Sequence, residues 1–194
     1  MTLANPQAAG HKRAWRSWAK LIVKPPAAHI SQRVAGHIAD FVDSIEGQIV
    51  LYSHLPGEIA VDHLLNRADK ERFVLTRSNP GMALSLHPAG APLERHRFGF
   101  WQPVAHAPQV EPSSVAMVLV PALLFDRHGT RLGRGAGYYD RFLAKIPQAL
   151  VVGVTRRSTV VGELPVEPHD IAMTHLATED GVLLVSPRVS SSFT

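Results

Sequence analysis

The stretch from Val115 to Leu143, VAMVLVPALLFDRHGTRLGRGAGYYDRFL, limits the fold of this chain more than any other. Its opening run, Val115 to Val120, is short, apolar and rich in valine, the pattern of a strand buried on both faces of a sheet. Pro121 is expected to end regular pairing, and Asp126, Arg127, His128 and Gly129 form a turn signal. Gly133, Gly135 and Gly137 then recur at every second position, with Arg131 and Arg134 beside them. Tyr138 to Ala144 reads as a helix, cut off by Pro147. A buried strand, a glycine-rich turn and a helix in succession call for a layered α/β fold: helix, sheet, helix, with a mainly parallel or mixed sheet, Rossmann-like.

Glycines without Cβ atoms let successive backbone N–H groups approach an anion, and two guanidinium groups add charge. The turn lacks the Lys-Ser/Thr ending of a P-loop, and its spacing is not the dinucleotide fingerprint. On glycine spacing alone, an anion site and a tight strand-to-helix connection are equally good readings. Asp140, one turn into the helix, favours the first, because a carboxylate there suits the Mg²⁺ that accompanies a nucleotide.

The chain of 194 residues is expected to form one domain. It has no cysteine, which excludes disulfides, thiolate metal sites and a cysteine nucleophile, and fits a reducing compartment. Its net charge of +4 is local: Lys12, Arg13, Arg16, Lys20, Lys24 and Arg33 all precede the first acid, Asp40, and from there acids outnumber bases 16 to 14. A nucleic-acid binder spreads positive charge over a face, so this pattern points to a compact anion or a mobile arm, and away from nucleic acid. There is no secretory h-region, and the charge-free apolar stretch between Glu111 and Asp126 contains two prolines and is too short to span a bilayer. The expectation is a cytoplasmic protein without membrane contact.

Along the chain, a first helix carries Lys12, Arg13 and Arg16 with Trp15, Trp18, Leu21 and Ile22, and stops at Pro25 and Pro26. Lys12 and Arg16 share a face, either solvated or reaching a polyphosphate. Ala28 to Ile45 shows helical spacing. Ile49 to Tyr52 reads as a buried strand, followed by the loop Ser53 to Gly57 and a short helix carrying Glu58, Asp62 and Leu64. Phe73 to Thr76 is a strand, and Ala83 to His87 with Leu93 to Phe98 suggests a hairpin. Gly99, Phe100, Trp101, Gln102 and Pro103 offer an aromatic wall and an amide. Ala149 to Val154, His175 to Thr178 and Val182 to Leu184 are further strands, and the tail from Ser186 is expected to fray. The eleven histidines include no H-x-x-x-H or H-E-x-x-H pair, so only His169 beside Asp170 stands out.

Together these segments resemble the 5-formyltetrahydrofolate cyclo-ligase family, also called methenyltetrahydrofolate synthetase. The motifs run in the family's order: K-R-A-W-R, Y-S-H-L-P-G-E-I, V-P-A-L-L-F-D-R-H-G-T-R-L-G-R-G-A-G-Y-Y-D-R-F-L and L-P-V-E-P-H-D. The resemblance implies an enzyme that closes 5-formyltetrahydrofolate to 5,10-methenyltetrahydrofolate with ATP and Mg²⁺, working on a reduced folate as a monomer or weak homo-oligomer. It also implies that Lys12, Arg13 and Arg16 meet the ATP phosphates together with Arg131, Leu132, Gly133, Arg134, Gly135, Ala136, Gly137, Tyr138 and Tyr139. By the same resemblance Asp140 and Asp170 hold Mg²⁺, while Ser53 and Glu58 contact the folate; Trp101, from its place in the loop, is expected to line the pterin pocket. Arg134, Gly135, Gly137 and Tyr138 fall between folate and nucleotide, with Arg134 and Tyr138 catalytic. Four residues depart from the family's pattern: Val61 for a common threonine, Gln102 for a glutamate, Ala136 for glycine or lysine, and Thr159 for a glutamine. They leave open two other readings, a non-catalytic nucleotide- or folate-binding paralogue and a ligase for a related small substrate.

Overall fold

Runs of β-branched and leucine residues three to seven long supply the strands, and the computed structural model, which describes residues 6, 10–79 and 83–186, assembles most of them into one sheet. In chain order the elements are α1 (Lys12–Ile22), α2 (Ala28–Asp43), β1 (Gln48–Leu51), β2 (Phe73–Arg77), β3 (Ser85–Pro88), β4 (Leu93–Arg95), β5 (Trp101–Pro103), β6 (Val115–Pro121), β7 (Leu124–Asp126), β8 (Arg131–Leu132), α3 (Tyr138–Leu143), β9 (Leu150–Val154), β10 (Val160–Val161), β11 (His175–Thr178) and β12 (Gly181–Leu184). The main sheet has seven strands in the order β12-β11-β9-β6-β1-β2-β3. Its interior pairings are parallel, and β12 and β3 join antiparallel at the two edges.

Side chains of the central strands alternate between two cores, as a period of two requires. Ile49, Leu51, Met117 and Leu119 pack with Val34, Ile38 and Val42 of α2 on one face. Val50, Val118 and Val120 pack with Phe125, Phe142 and Leu143 on the other, beneath α3. Helices on both faces explain why these strands carry so few polar residues.

A three-stranded sheet, β10-β7-β8, lies over the α3 face. It approaches closely at Gly153 of β9, where a Cβ would fall 2.5 Å from the Phe125 ring of β7. The third cluster, Trp15, Ala19, Leu123, Leu124, Leu132 and Leu164, seats α1 on this small sheet. Asp126, which reads as a turn residue, is fully buried: Oδ1 accepts from the N–H groups of His128 and Thr130, and Oδ2 from that of Leu164.

Several local expectations change. Ser85–Pro88 pairs with β2 rather than with the following segment, and Leu93–Arg95 pairs with Trp101–Pro103 instead. The tight turn at Gly99 favours that second hairpin, since Gly99 has φ +92°. Glu58 stands in a turn, and only a 3-10 turn, Asp62–Asn66, follows it. Pro121 does not end pairing; it remains in register with Val154. Residues 80–82 of the proline-rich excursion and 187–194 of the tail lie outside the described residues. Among the described residues no helix is long and apolar enough to cross a membrane.

Candidate active site

The order of the main sheet reverses between β1 and β6: β2 and β3 extend it one way, β9, β11 and β12 the other. At such a point the connections leave adjacent parallel strands in opposite directions and open a crevice at the strands' carboxyl ends. A cavity of about 420 Å³ occupies it. Tyr52 and Ser53 beyond β1, Thr76 and Ser78 around the end of β2, and Pro121 and Ala122 at the end of β6 form its base.

Its walls are of two kinds. One is charged and glycine-rich: Lys12 and Arg16 from α1, Arg131, the loop from Gly133 to Gly137, Tyr138, Tyr139 and Asp140, and then Glu167, His169 and Asp170. The other is apolar and aromatic: Leu84, His96, Phe98 and Phe100. A ligand filling both is part polyanion, part flat ring.

The charged wall is built from ion pairs. Lys12 Nζ, buried, is held by the Asp170 carboxylate and lies 3.4 Å from Glu167 Oε2. Arg131 Nη2 donates to Asp140 Oδ1 at 2.6 Å, and its guanidinium lies 5.4 Å from the Tyr139 ring centre. Burial pushes the Arg131 guanidinium down from its ordinary value, against the pull of Asp140. Arg131 Nη1 is also buried, and has no hydrogen-bond partner among the described residues. A buried donor left unmade is costly, so the guanidinium is held in place at a price in stability. Arg16 Nε donates to the Gly133 carbonyl at 3.0 Å. The loop then passes this arginine through Gly135, whose φ of +106° no side-chain-bearing residue adopts without strain.

Glu58 is the buried carboxylate of the cavity. Leu55 N–H donates to Oε2 at 2.8 Å, and Arg134 Nη2 donates to Oε1 at 3.1 Å. Burial pushes the Glu58 carboxyl up from its ordinary value, opposed by the Leu55 N–H and then by Arg134. Its loop is fixed by the buried Tyr52 hydroxyl, which donates to the Ile59 carbonyl at 2.6 Å. The phenols of Tyr52 and Tyr139 are both pushed up, first by burial and then by Glu58. Both therefore stay protonated donors.

The fold brings Lys12, Arg16, Ser53, Glu58, Arg131, Asp140, Asp170 and the glycine loop with Ala136 onto one cavity. It does not bring in Arg13, which is exposed, or Leu132, which joins the cluster under α1. Trp101 is 54% exposed and absent from the cavity's lining; its N–H donates to Ser53 Oγ at 3.2 Å. The tight turn between β4 and β5 puts His96, Phe98 and Phe100 against the cavity in its place. The run Glu167, His169, Asp170 is legible in the sequence. Those three offer ligand atoms within 4.8 Å of one another, a set of mostly hard donors suited to Mg²⁺, while Asp140 is tied to the same segment by the Ile171 N–H at 3.5 Å.

Three of the four departures from the family's pattern serve the scaffold. Val61 is fully buried in the α2-side core. Thr159 donates to the Arg156 carbonyl and meets Thr155 Oγ1 at 2.6 Å. Gln102 Oε1 accepts from the N–H and hydroxyl of Ser78, and its amide donates to Glu94. Only Ala136 of the four lines the cavity.

Comparison with known proteins points the same way. Residues 17–179 match the 5-formyltetrahydrofolate cyclo-ligase family. The chain is 54% identical over 63 residues to the 5-formyltetrahydrofolate cyclo-ligase of Mycolicibacterium smegmatis, a stretch covering 32% of each chain. It is 27% identical over 159 residues to that of Haemophilus influenzae, covering 73% of this chain and 81% of the relative. The NMR structure of Aquifex aeolicus 5,10-methenyltetrahydrofolate synthetase superposes with a TM-score of 0.74 at 27% identity, over 94% of this chain and 96% of that one. The Mycoplasma pneumoniae synthetase, at 19% identity and a TM-score of 0.69, shares the fold. With the glycine-rich loop, the switch-point cavity and these likenesses in agreement, the chain belongs to the 5-formyltetrahydrofolate cyclo-ligase family.

Proposed function

We propose that this chain catalyses the ATP- and Mg²⁺-dependent cyclisation of 5-formyltetrahydrofolate to 5,10-methenyltetrahydrofolate, as a single domain, monomeric or weakly self-associating, in a reducing cytoplasm. The observation that carries the proposal is one cavity with a charged, glycine-lined wall bearing Lys12, Arg16 and Arg131, and an aromatic wall beside it.

A formamide oxygen is a poor leaving group, so it must be activated. In the proposed reaction the formyl oxygen attacks the γ-phosphorus of ATP and ADP leaves. N10 then adds to the formyl carbon, the carbon–oxygen bond breaks, and inorganic phosphate departs with the N10 proton. Such chemistry needs positioning and charge neutralisation more than a protein nucleophile. Lys12, Arg16, Arg131 and the N–H groups of the glycine loop bind the phosphates. Arg134 and Tyr138 of the charged wall orient the formyl oxygen toward phosphorus. Glu58 anchors the folate ring system. Asp140 and Asp170 would hold Mg²⁺, with Glu167 and His169 at hand, and the ion would neutralise phosphate charge.

The decisive experiment follows near-ultraviolet absorbance as the protein meets 5-formyltetrahydrofolate, ATP and Mg²⁺, each omitted in turn. Growth of the methenyl chromophore only with all three present supports the proposal. Nucleotide binding without product would favour the non-catalytic paralogue.

A further inference from the structure

The tip of the β4–β5 hairpin carries a histidine that the proposed reaction does not use. His96 lines the cavity with Phe98 and Phe100. Its ring stacks on Phe100, with centroids 4.4 Å apart and planes 22° apart, and meets the Phe98 ring at 5.1 Å. The backbone fixes it as well: His96 N–H donates to the Phe100 carbonyl at 2.8 Å, and the His96 carbonyl accepts from Gly99 N–H at 2.8 Å. The Phe98 N–H points at Nδ1, 3.2 Å away. An N–H donor at Nδ1 makes that nitrogen the acceptor, so the proton of the neutral ring sits on Nε2. The imidazole thus combines a stacking face with one donor, in a wall otherwise made of hydrocarbon.

We propose that His96 is a substrate-positioning residue, which stacks on the flat heterocycle of the ligand and donates Nε2–H to a ring nitrogen or carbonyl oxygen at its edge. The inference rests on the folate reading of the cavity. It gives the aromatic wall a direction, because stacking alone tolerates a rotated ring and a single edge hydrogen bond does not.

The surroundings of the ring favour its neutral form. Burial holds the His96 imidazole below its ordinary value of 6.5; Arg97 on the hairpin and Arg77 on β2 press the same way, against Glu94 on β4. The neutral ring is the form that accepts from Phe98 N–H. A proton on Nδ1 would face that N–H, so folate affinity should fall as pH drops below 6.5.

The test compares wild type with His96→Phe and His96→Gln, measuring the KM for 5-formyltetrahydrofolate and for ATP, and folate affinity at equilibrium, across pH. His96→Phe keeps an aromatic face and loses the donor. It should raise the folate KM about tenfold, the worth of one hydrogen bond, with kcat within about twofold and the ATP KM unmoved. It should also lose the weakening of folate binding at acid pH. His96→Gln, with an amide N–H near the Nε2 position, should recover part of the loss. A His96→Phe protein with wild-type folate KM and pH profile overturns the inference, as does one whose folate and ATP KM rise together, the mark of a merely structural residue. A wild-type protein that binds no reduced folate overturns the folate reading itself, and the role of His96 with it.

Discussion

Glu58 is where the site opposes the fold. Folding buries its carboxylate and raises the carboxyl's affinity for its proton. Below 4.5 the group is protonated folded or unfolded and costs nothing; the penalty grows as pH rises through the raised folded value and is complete above it. Glu58→Gln keeps the shape and the Leu55 hydrogen bond, and releases an Arg134 side chain that is already half-exposed. In mildly alkaline buffer this variant should melt about 2–4 °C above wild type, the shift expected from about 1 kcal/mol, with no advantage at acid pH, while folate affinity falls at least tenfold. Thermal melts at two pH values and a folate titration check both halves. Asp140→Asn should bind folate normally yet lose turnover by about a hundredfold or more, read by the absorbance assay, because its carboxylate holds Arg131 and, in the proposed reaction, would hold Mg²⁺. The family resemblance put Glu58 among the candidate site residues, and the structure lines the cavity with it. Its burial was not legible, because that depends on a loop pinned by Tyr52 to a carbonyl seven residues on.

Between elements, the tightest joint is Gly153 under Phe125, which lets the small sheet approach the large one. A Cβ there would also come within 2.7 Å of Leu176. Gly153→Ala should therefore destabilise by about 1–3 kcal/mol in urea unfolding, and Phe125→Leu in the same chain should cost less than the two changes summed. The long elements were readable because their apolar residues keep one period: α1, α2, the central strands and the closing hairpin all lie where that period puts them. Strands β7, β8 and β10 were not, since two or three residues show no period, and their pairing is set by the buried Asp126 carboxylate. The β4–β5 hairpin was missed in register for a related reason. Ser85–Pro88 and Leu93–Arg95 are close in sequence, yet each finds a partner elsewhere.

Across the molecule, the cavity holds its cations and anions already matched: Lys12 with Asp170, Arg131 with Asp140, Arg134 with Glu58. The glycine loop, its arginines and both aspartates were legible as site residues, but their pairing was not, because one sequence does not show which distant charges meet. Lys12→Met leaves a nearly buried Asp170 unpaired and should cost about 3–5 kcal/mol; adding Asp170→Asn should recover most of that stability without restoring ATP binding. Urea melts and nucleotide titrations of the single and double variants distinguish the two effects. Lys12 and Asp170 also stand 158 residues apart, with five of the seven strands of the main sheet between them. A ribosome delivers the lysine early and its carboxylate late, so the first helix waits through most of synthesis for the segment that completes its site. Nucleotide capture by nascent chains of increasing length should begin only after Asp170 has emerged, which makes ATP binding a report that the two distant halves of the site have met.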